Sequence, residues 1–135
     1  MSRPEPRWLG RLQVDVAHVE TIREAGGLHG IRDENLLKSA IARPRQRWTY
    51  EPEVTMAGLG ASYAFGLVEN HPYVDGNQRV GLIVMGAFLL RNGVRLTATE
   101  PEALEIFLAL AAGSVSEAEL AAWVERHART HEPDR

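Results

Sequence analysis

From Val14 to Ala25 the residues Val14, Ala17, His18, Ile22 and Ala25 recur at three- and four-residue steps, which sets them on one face of a helix that Gly26-Gly27 ends. Asp33 is a suitable N-cap for a short second helix with Leu36, Leu37, Ala40 and Ile41 turned inward, expected to stop before Pro44. A basic, aromatic connection follows, in which Trp48 and Tyr50 are expected as core anchors, with a stacking surface for a base as the alternative. The stripe Met56, Leu59, Gly60, Tyr63, Ala64, Leu67, Val68 predicts a longer helix over residues 53–69, broken by His71-Pro72. Residues 77–91 are apolar nearly all round, as expected of a central helix covered on every side, and Asn92-Gly93 closes them through a left-handed residue.

Beyond that point Val94-Arg95-Leu96 reads as a short extended piece, and a second brief strand candidate lies near Trp48. Thr99 with Glu102 and Ser116 with Glu119 each form a capping box, in which hydroxyl and carboxyl satisfy each other's free N–H groups. They predict helices over about 100–112 and 117–129. The expected class is therefore all-α: one compact domain over residues 1–135, with about 1–12 and 130–135 peripheral or frayed.

Composition narrows this picture in three places. The chain of 135 residues has no cysteine, which removes disulfides, thiolate metal sites and a cysteine nucleophile and suits a reducing cytosol. Its longest apolar stretch, Leu82–Leu90, is far below the roughly 20 residues that cross a bilayer, and residues 1–12 lack a signal-peptide pattern, so a cytoplasmic protein without a membrane partner is expected. The net charge is −3, with a basic excess in residues 1–50 and an acidic one in 51–135, which speaks against direct nucleic-acid binding. Arg43, Arg45 and Arg47 are either a solvated basic surface or a contact for an acidic partner or phosphates.

The chemistry is concentrated in His71-Pro72-Tyr73-Val74-Asp75-Gly76-Asn77-Gln78-Arg79, polar residues set between two strongly apolar helices. Pro72 and Gly76 force an irregular loop, and the helix that starts after it has first-turn N–H groups without intrahelical acceptors. Those groups, the helix dipole and Arg79 suit a polyphosphate. Asp75 is placed to share Mg²⁺ with phosphates, and His71 to take a proton from an attacking hydroxyl. Singly, each residue has a plainer reading. His71 can be a helix C-terminal residue, Asp75-Gly76 a turn, Asn77 an N-cap and Arg79 a snorkelling side chain. Their combination within nine positions carries the signal.

This stretch resembles the Fic/Doc signature His-x-Phe-x-(Asp/Glu)-(Gly/Ala)-Asn-(Gly/Lys)-Arg, with Tyr73 in place of phenylalanine. Gly26–Gly30, Arg32-Asp33, Ala40–Pro44, Leu90–Val94 and Ala111–Gly113 look like the death-on-curing (Doc) branch. The resemblance implies a helical fold with the active loop between two central helices. It implies an enzyme that binds Mg²⁺ and ATP as cosubstrate, with His71 and Arg79 catalytic, Asp75 on the metal, and Asp75, Gly76, Asn77, Gln78 and Arg79 around the nucleotide. Doc-type members act as kinases on a protein target, a translation factor such as Tu, and are toxins held by an antitoxin with a disordered tail. Fic-type members transfer AMP. Leu82 stands where the Fic type has a second arginine, which leans to the kinase. Gln78 matches neither the glycine of the one nor the lysine of the other, which leaves nucleotidyl transfer, or a catalytically weak partner-binding module, as alternatives. The inhibitory pattern (Ser/Thr)-x-x-x-Glu-(Gly/Asn) does not occur, so the resemblance implies restraint in trans.

Overall fold

The structure, a computed structural model, describes residues 3–131. It is all-α apart from one small ribbon: α1 (Arg11–Ala25), α2 (Glu34–Tyr50), α3 (Met56–Asn70), α4 (Asn77–Arg91), β1 (Val94–Leu96), α5 (Glu100–Ala111), α6 (Glu117–Arg126) and β2 (Ala128–Thr130). None of the described helices is long and apolar enough to cross a membrane.

α3 is the hub, buried from Ala57 through Ala64 and again from Gly66 through Val68, and packed against α2, α4 and α6. Its glycines set how closely the others approach. A Cβ on Gly66 would lie 3.1 Å from the Cα of Ala40 in α2, and one on Gly60 2.9 Å from the Leu89 side chain of α4. Small residues on α3 therefore hold α4, and the loop before it, close to the middle of the molecule.

α4 keeps the bounds expected from the sequence, and both capping boxes form at α5 and α6. α3 starts at Met56 rather than 53 because Thr55, not read as a cap, accepts the Gly58 N–H at 3.0 Å. α2 differs more. Instead of stopping before Pro44 it carries that proline inside and runs to Tyr50. A proline there removes a hydrogen bond and strains the preceding turn. The continuation is held from outside: Arg43 and Arg47 both pair with Glu117 of α6, and Arg47 donates to Gly58 O at 3.0 Å. Trp48 lies in this helix rather than in a strand and is half-buried against Trp8. Tyr50, expected as a core anchor, is 81% exposed.

Residues 3–10 are not frayed. Arg3 sits over the Trp48 ring and donates to Trp48 O at 2.6 Å, Trp8 stacks on Phe88, and buried Leu9 shares its N–H and C=O with the Tyr63 hydroxyl at 3.0 Å each. Asn92 receives the Arg7 N–H at 2.8 Å and donates to Arg7 O, so the residue that ends α4 also ties down this segment. At the other end α6 stops at Arg126, short of the expected 129, because 128–130 pair antiparallel with β1, Leu96 opposite Ala128. A lone strand would leave its backbone groups unpaired, and β2 supplies the partners. Of the expected frayed end, Thr130 lies in β2, and 132–135 lie outside the described residues.

Two glycines in tight and open surroundings test this packing. Gly66→Val should cost about 1–3 kcal/mol by forcing α2 off α3. Gly86→Ala, whose new Cβ would find nothing nearer than Leu96 at 3.7 Å, should be neutral or stabilising by about 0.5–1 kcal/mol. Thermal and urea unfolding followed by circular dichroism reads both.

Candidate active site

α3 ends in a strained residue. His71 has φ 49°, ψ 54°, the single non-glycine with positive φ among the described residues, a conformation that costs roughly 1–2 kcal/mol. Arg32 holds it there, donating from Nε to His71 O at 2.7 Å and from Nη2 to Asn70 O at 2.9 Å. A guanidinium on these last carbonyls also suits the negative end of the helix dipole. The chain then runs alongside residues 30–33: Pro72 O accepts from the N–H groups of Arg32 and Asp33 at 2.7 and 3.1 Å, Ile31 bridges Tyr73, and Val74 donates to Gly30 O at 3.0 Å.

Beneath the loop Tyr73 is buried, its ring 3.8 Å from that of His18 and within 7° of parallel, and its hydroxyl donates to Asp15 Oδ1 at 2.6 Å. Burial pushes the phenol well above its ordinary pKa, and the Asp15 hydrogen bond pushes it further. Asp15 is itself paired with Arg11, which forks onto Glu34 at the start of α2. Tyr73 is thus more than a conservative stand-in for phenylalanine, since its hydroxyl ties the loop to α1 and α2. His18 is also buried, which pushes its imidazole below the ordinary value, and its Nε2 donates to Asp75 O at 3.0 Å.

The polar residues separate into two groups. Asn77 turns inward: Oδ1 accepts the Tyr73 N–H and Nδ2 donates to Tyr73 O, both at 2.9 Å, so its side chain braces the loop and leaves a phosphate only the main chain of residue 77. Gly76 has φ 85°, and a Cβ there would press on Thr21 at 3.2 Å. As the N-cap of α4 it brings no capping side chain, so the first N–H groups of that helix stay open.

Facing outward, His71, Asp75, Gln78 and Arg79 border a cleft of about 450 Å³ whose apolar side is Val68, Val74 and Ala111. Among the described residues the His71 imidazole and the Gln78 amide make no hydrogen bond, and Arg79 makes a loose pair with Glu100 at 3.7 Å. Asp75 is the one carboxylate of the cleft. Its Oδ2 accepts the Leu28 N–H at 2.7 Å, leaving Oδ1 open. Roomier clefts, two of about 700 Å³ and one of about 500 Å³, lie elsewhere among the described residues, and none of the three is lined by a histidine.

No group of three or more His, Asp or Glu among the described residues could hold a metal unaided. Magnesium asks for less, one or two carboxylates with the remaining oxygens from phosphate and water, and Asp75 with its open oxygen beside uncapped N–H donors fits that requirement. Sequence reasoning missed the braces His18, Asp15 and Arg11. Only the three- and four-residue spacing of His18 hinted that it faced inward.

The Tyr73–Asp15 contact yields a signed prediction. Asp15→Ala strands a buried phenol hydroxyl and should cost about 1–3 kcal/mol, whereas the same change in a Tyr73→Phe background should cost clearly less. Equal costs in a double-mutant cycle of urea unfolding would show that the contact is not formed.

Over 74 residues the chain is 35% identical to the Toxin Doc of Mycolicibacterium smegmatis, an alignment covering 54% of this chain and 57% of that protein. The chain thus spans a little over half the length of that relative. Residues 8–89, from the N-terminal segment through nearly all of α4 and including the whole motif loop, match the model of the Fic/DOC family. On that match, which covers more than half of the sequence, the chain belongs to the Fic/DOC family.

Proposed function

We propose that this protein is a Doc-like toxin that transfers the γ-phosphoryl group of ATP to a hydroxyl of a protein target, and that the cleft at the start of α4 is where it does so. The carrying observation is the pairing of an unbonded imidazole, His71, with an uncapped helix N-terminus in one cleft, beside a carboxylate held from behind by Leu28. The family and its resemblance to Toxin Doc support the reading.

The open N–H groups of α4 and the Arg79 guanidinium would take the phosphate oxygens, with the nucleoside end resting on Val68, Val74 and Ala111. Asp75 would hold magnesium, which when bound neutralises charge on the phosphates. His71 accepts the proton of the attacking hydroxyl as that oxygen bonds to the γ-phosphorus, the bond to the β–γ bridging oxygen breaks, and ADP leaves. By this reading a translation factor supplies the hydroxyl, and an antitoxin whose disordered tail folds on binding restrains the enzyme.

Leu82 favours phosphoryl over nucleotidyl transfer. It packs against the core and lies outside the cleft, so a second cationic clamp on the nucleotide is missing. Gln78 favours the other reading, because it borders the cleft and adds hydrogen-bonding capacity without charge.

Incubation of the purified protein with cell extract and either γ- or α-labelled ATP separates the possibilities. Label from the γ position alone on a protein is expected. Label from the α position means nucleotidyl transfer, and no label with folded protein leaves a partner-binding module. His71→Ala should lower labelling by about 10²–10⁴-fold with ATP still bound. Arg79→Ala should weaken ATP binding about tenfold in calorimetry, and unchanged affinity would remove Arg79 from the phosphate site.

A further inference from the structure

Most of the loop's main chain is held by residues 30–33 and by Asn77, and those contacts end at Val74. Asp75 is held differently. Its two partners are the Leu28 N–H on the carboxylate and His18 Nε2 on the main-chain oxygen, 57 residues away in sequence. A carbonyl oxygen can only accept, so His18 carries its proton on Nε2 and donates.

We propose that His18 is a positioning residue for the cleft: its Nε2–H fixes the main chain of Asp75 and thereby the direction in which that carboxylate presents its open oxygen. The inference rests on the reading of Asp75 as the carboxylate that shares a cation with the phosphates. A buried histidine ordinarily fills space, but two features set this one apart. Its ring lies flat on Tyr73, which fixes the plane of the donor, and the next residue, Gly76, packs closely on the same helix, where an added Cβ would stand 3.2 Å from Thr21 and in ordinary contact, 3.8 Å, with His18. α1 therefore acts as a backstop for Asp75-Gly76, the two residues on which the cleft's carboxylate and helix start depend. Misplacement of a ligand by about 1 Å can cost on the order of 100-fold.

The test compares His18→Phe, which keeps a flat ring for Tyr73 and loses the donor, with His18→Gln, which keeps a side-chain N–H donor and loses the ring. The first readout needs no nucleotide: amide hydrogen exchange by NMR on the full chain. His18→Phe should speed exchange at Leu28 about tenfold, since that amide bonds the Asp75 carboxylate, while the α3 amides stay unchanged; His18→Gln should recover at least half of the loss. The second readout is calorimetric binding of ATP with and without magnesium. His18→Phe should shrink the gain from magnesium about tenfold and leave magnesium-free binding as in the parent.

Unchanged Leu28 exchange in His18→Phe overturns the proposal, as does acceleration spread evenly over α3, which would mark a general packing role. Failure of His18→Gln to recover anything also overturns it. Selective acceleration at Leu28 in a protein whose parent binds no Mg-ATP upholds the positioning role and sinks the nucleotide reading alone.

Discussion

The loop between α3 and α4 has to reverse the chain inside the protein without using the first N–H groups of the helix that follows. Those groups are what the cleft has to offer an anion, so the loop's own main chain must find its partners elsewhere. It finds them in Arg32 on the carbonyls of Asn70 and His71, in residues 30–33 alongside Pro72, Tyr73 and Val74, in the Asn77 amide on Tyr73, and in His18 on Asp75. Gly76 completes the arrangement by capping α4 with a residue that has no side chain to offer. Asp33, Ser116, Thr99 and Thr55 each spend an oxygen on their own helix start, and α4 alone among those helices begins beside the imidazole and carboxylate of the loop.

Packing maintains that geometry. The glycines of α3 admit the backbone of α2 at Ala40 and the Leu89 side chain of α4, and Gly81 of α4 in turn admits Val68, from which a Cβ would sit 3.1 Å away. Close packing of this kind resists small displacements, because any shift costs contacts on both sides. A strained His71 can persist there: a cost of roughly 1–2 kcal/mol is offset by a charge-assisted clamp worth about as much. The imidazole is thereby turned to the cleft instead of following the helical path of α3.

Much of this was legible in the chain itself, and what was not has a common cause. The bounds of α4, both capping boxes, the β1 segment and the grouping of His71, Asp75, Gln78 and Arg79 on one cleft follow from local rules of spacing and capping. Pro44 misled because a local penalty was outweighed by the Glu117 pairs, which span 70 and 74 residues of sequence. β2 was missed because a three-residue strand has meaning only through its distant partner. Asn77 was legible as important, but the bracing of Tyr73 by its side chain was not, since an amide beside open N–H donors suits a phosphate as well as it suits a neighbouring backbone. His18, Asp15 and Arg11 gave almost no signal, because a periodic pattern shows which face a residue takes and not what it meets there.

The charge of the cleft bears on how firmly it can hold a nucleotide. Arg32 lies close by, but its guanidinium is committed to two carbonyls, Gln78 is neutral, and Glu100 draws on Arg79 from the outer side. One guanidinium and one helix terminus would remain to face the proposed triphosphate. A charge-assisted hydrogen bond contributes about 1.5–3 kcal/mol and a helix terminus about 0.3–2 kcal/mol, so protein groups alone supply only part of a micromolar affinity near −8 kcal/mol. On the proposed reading the rest would come from apolar contact on Val68, Val74 and Ala111 and from a cation shared with Asp75, whose main-chain oxygen accepts from His18 of α1 and whose carboxylate accepts from Leu28 in the loop after it. Because the cleft has so little fixed charge of its own, the exact bearing of that single carboxylate weighs more here than it would in a site lined with lysine and arginine.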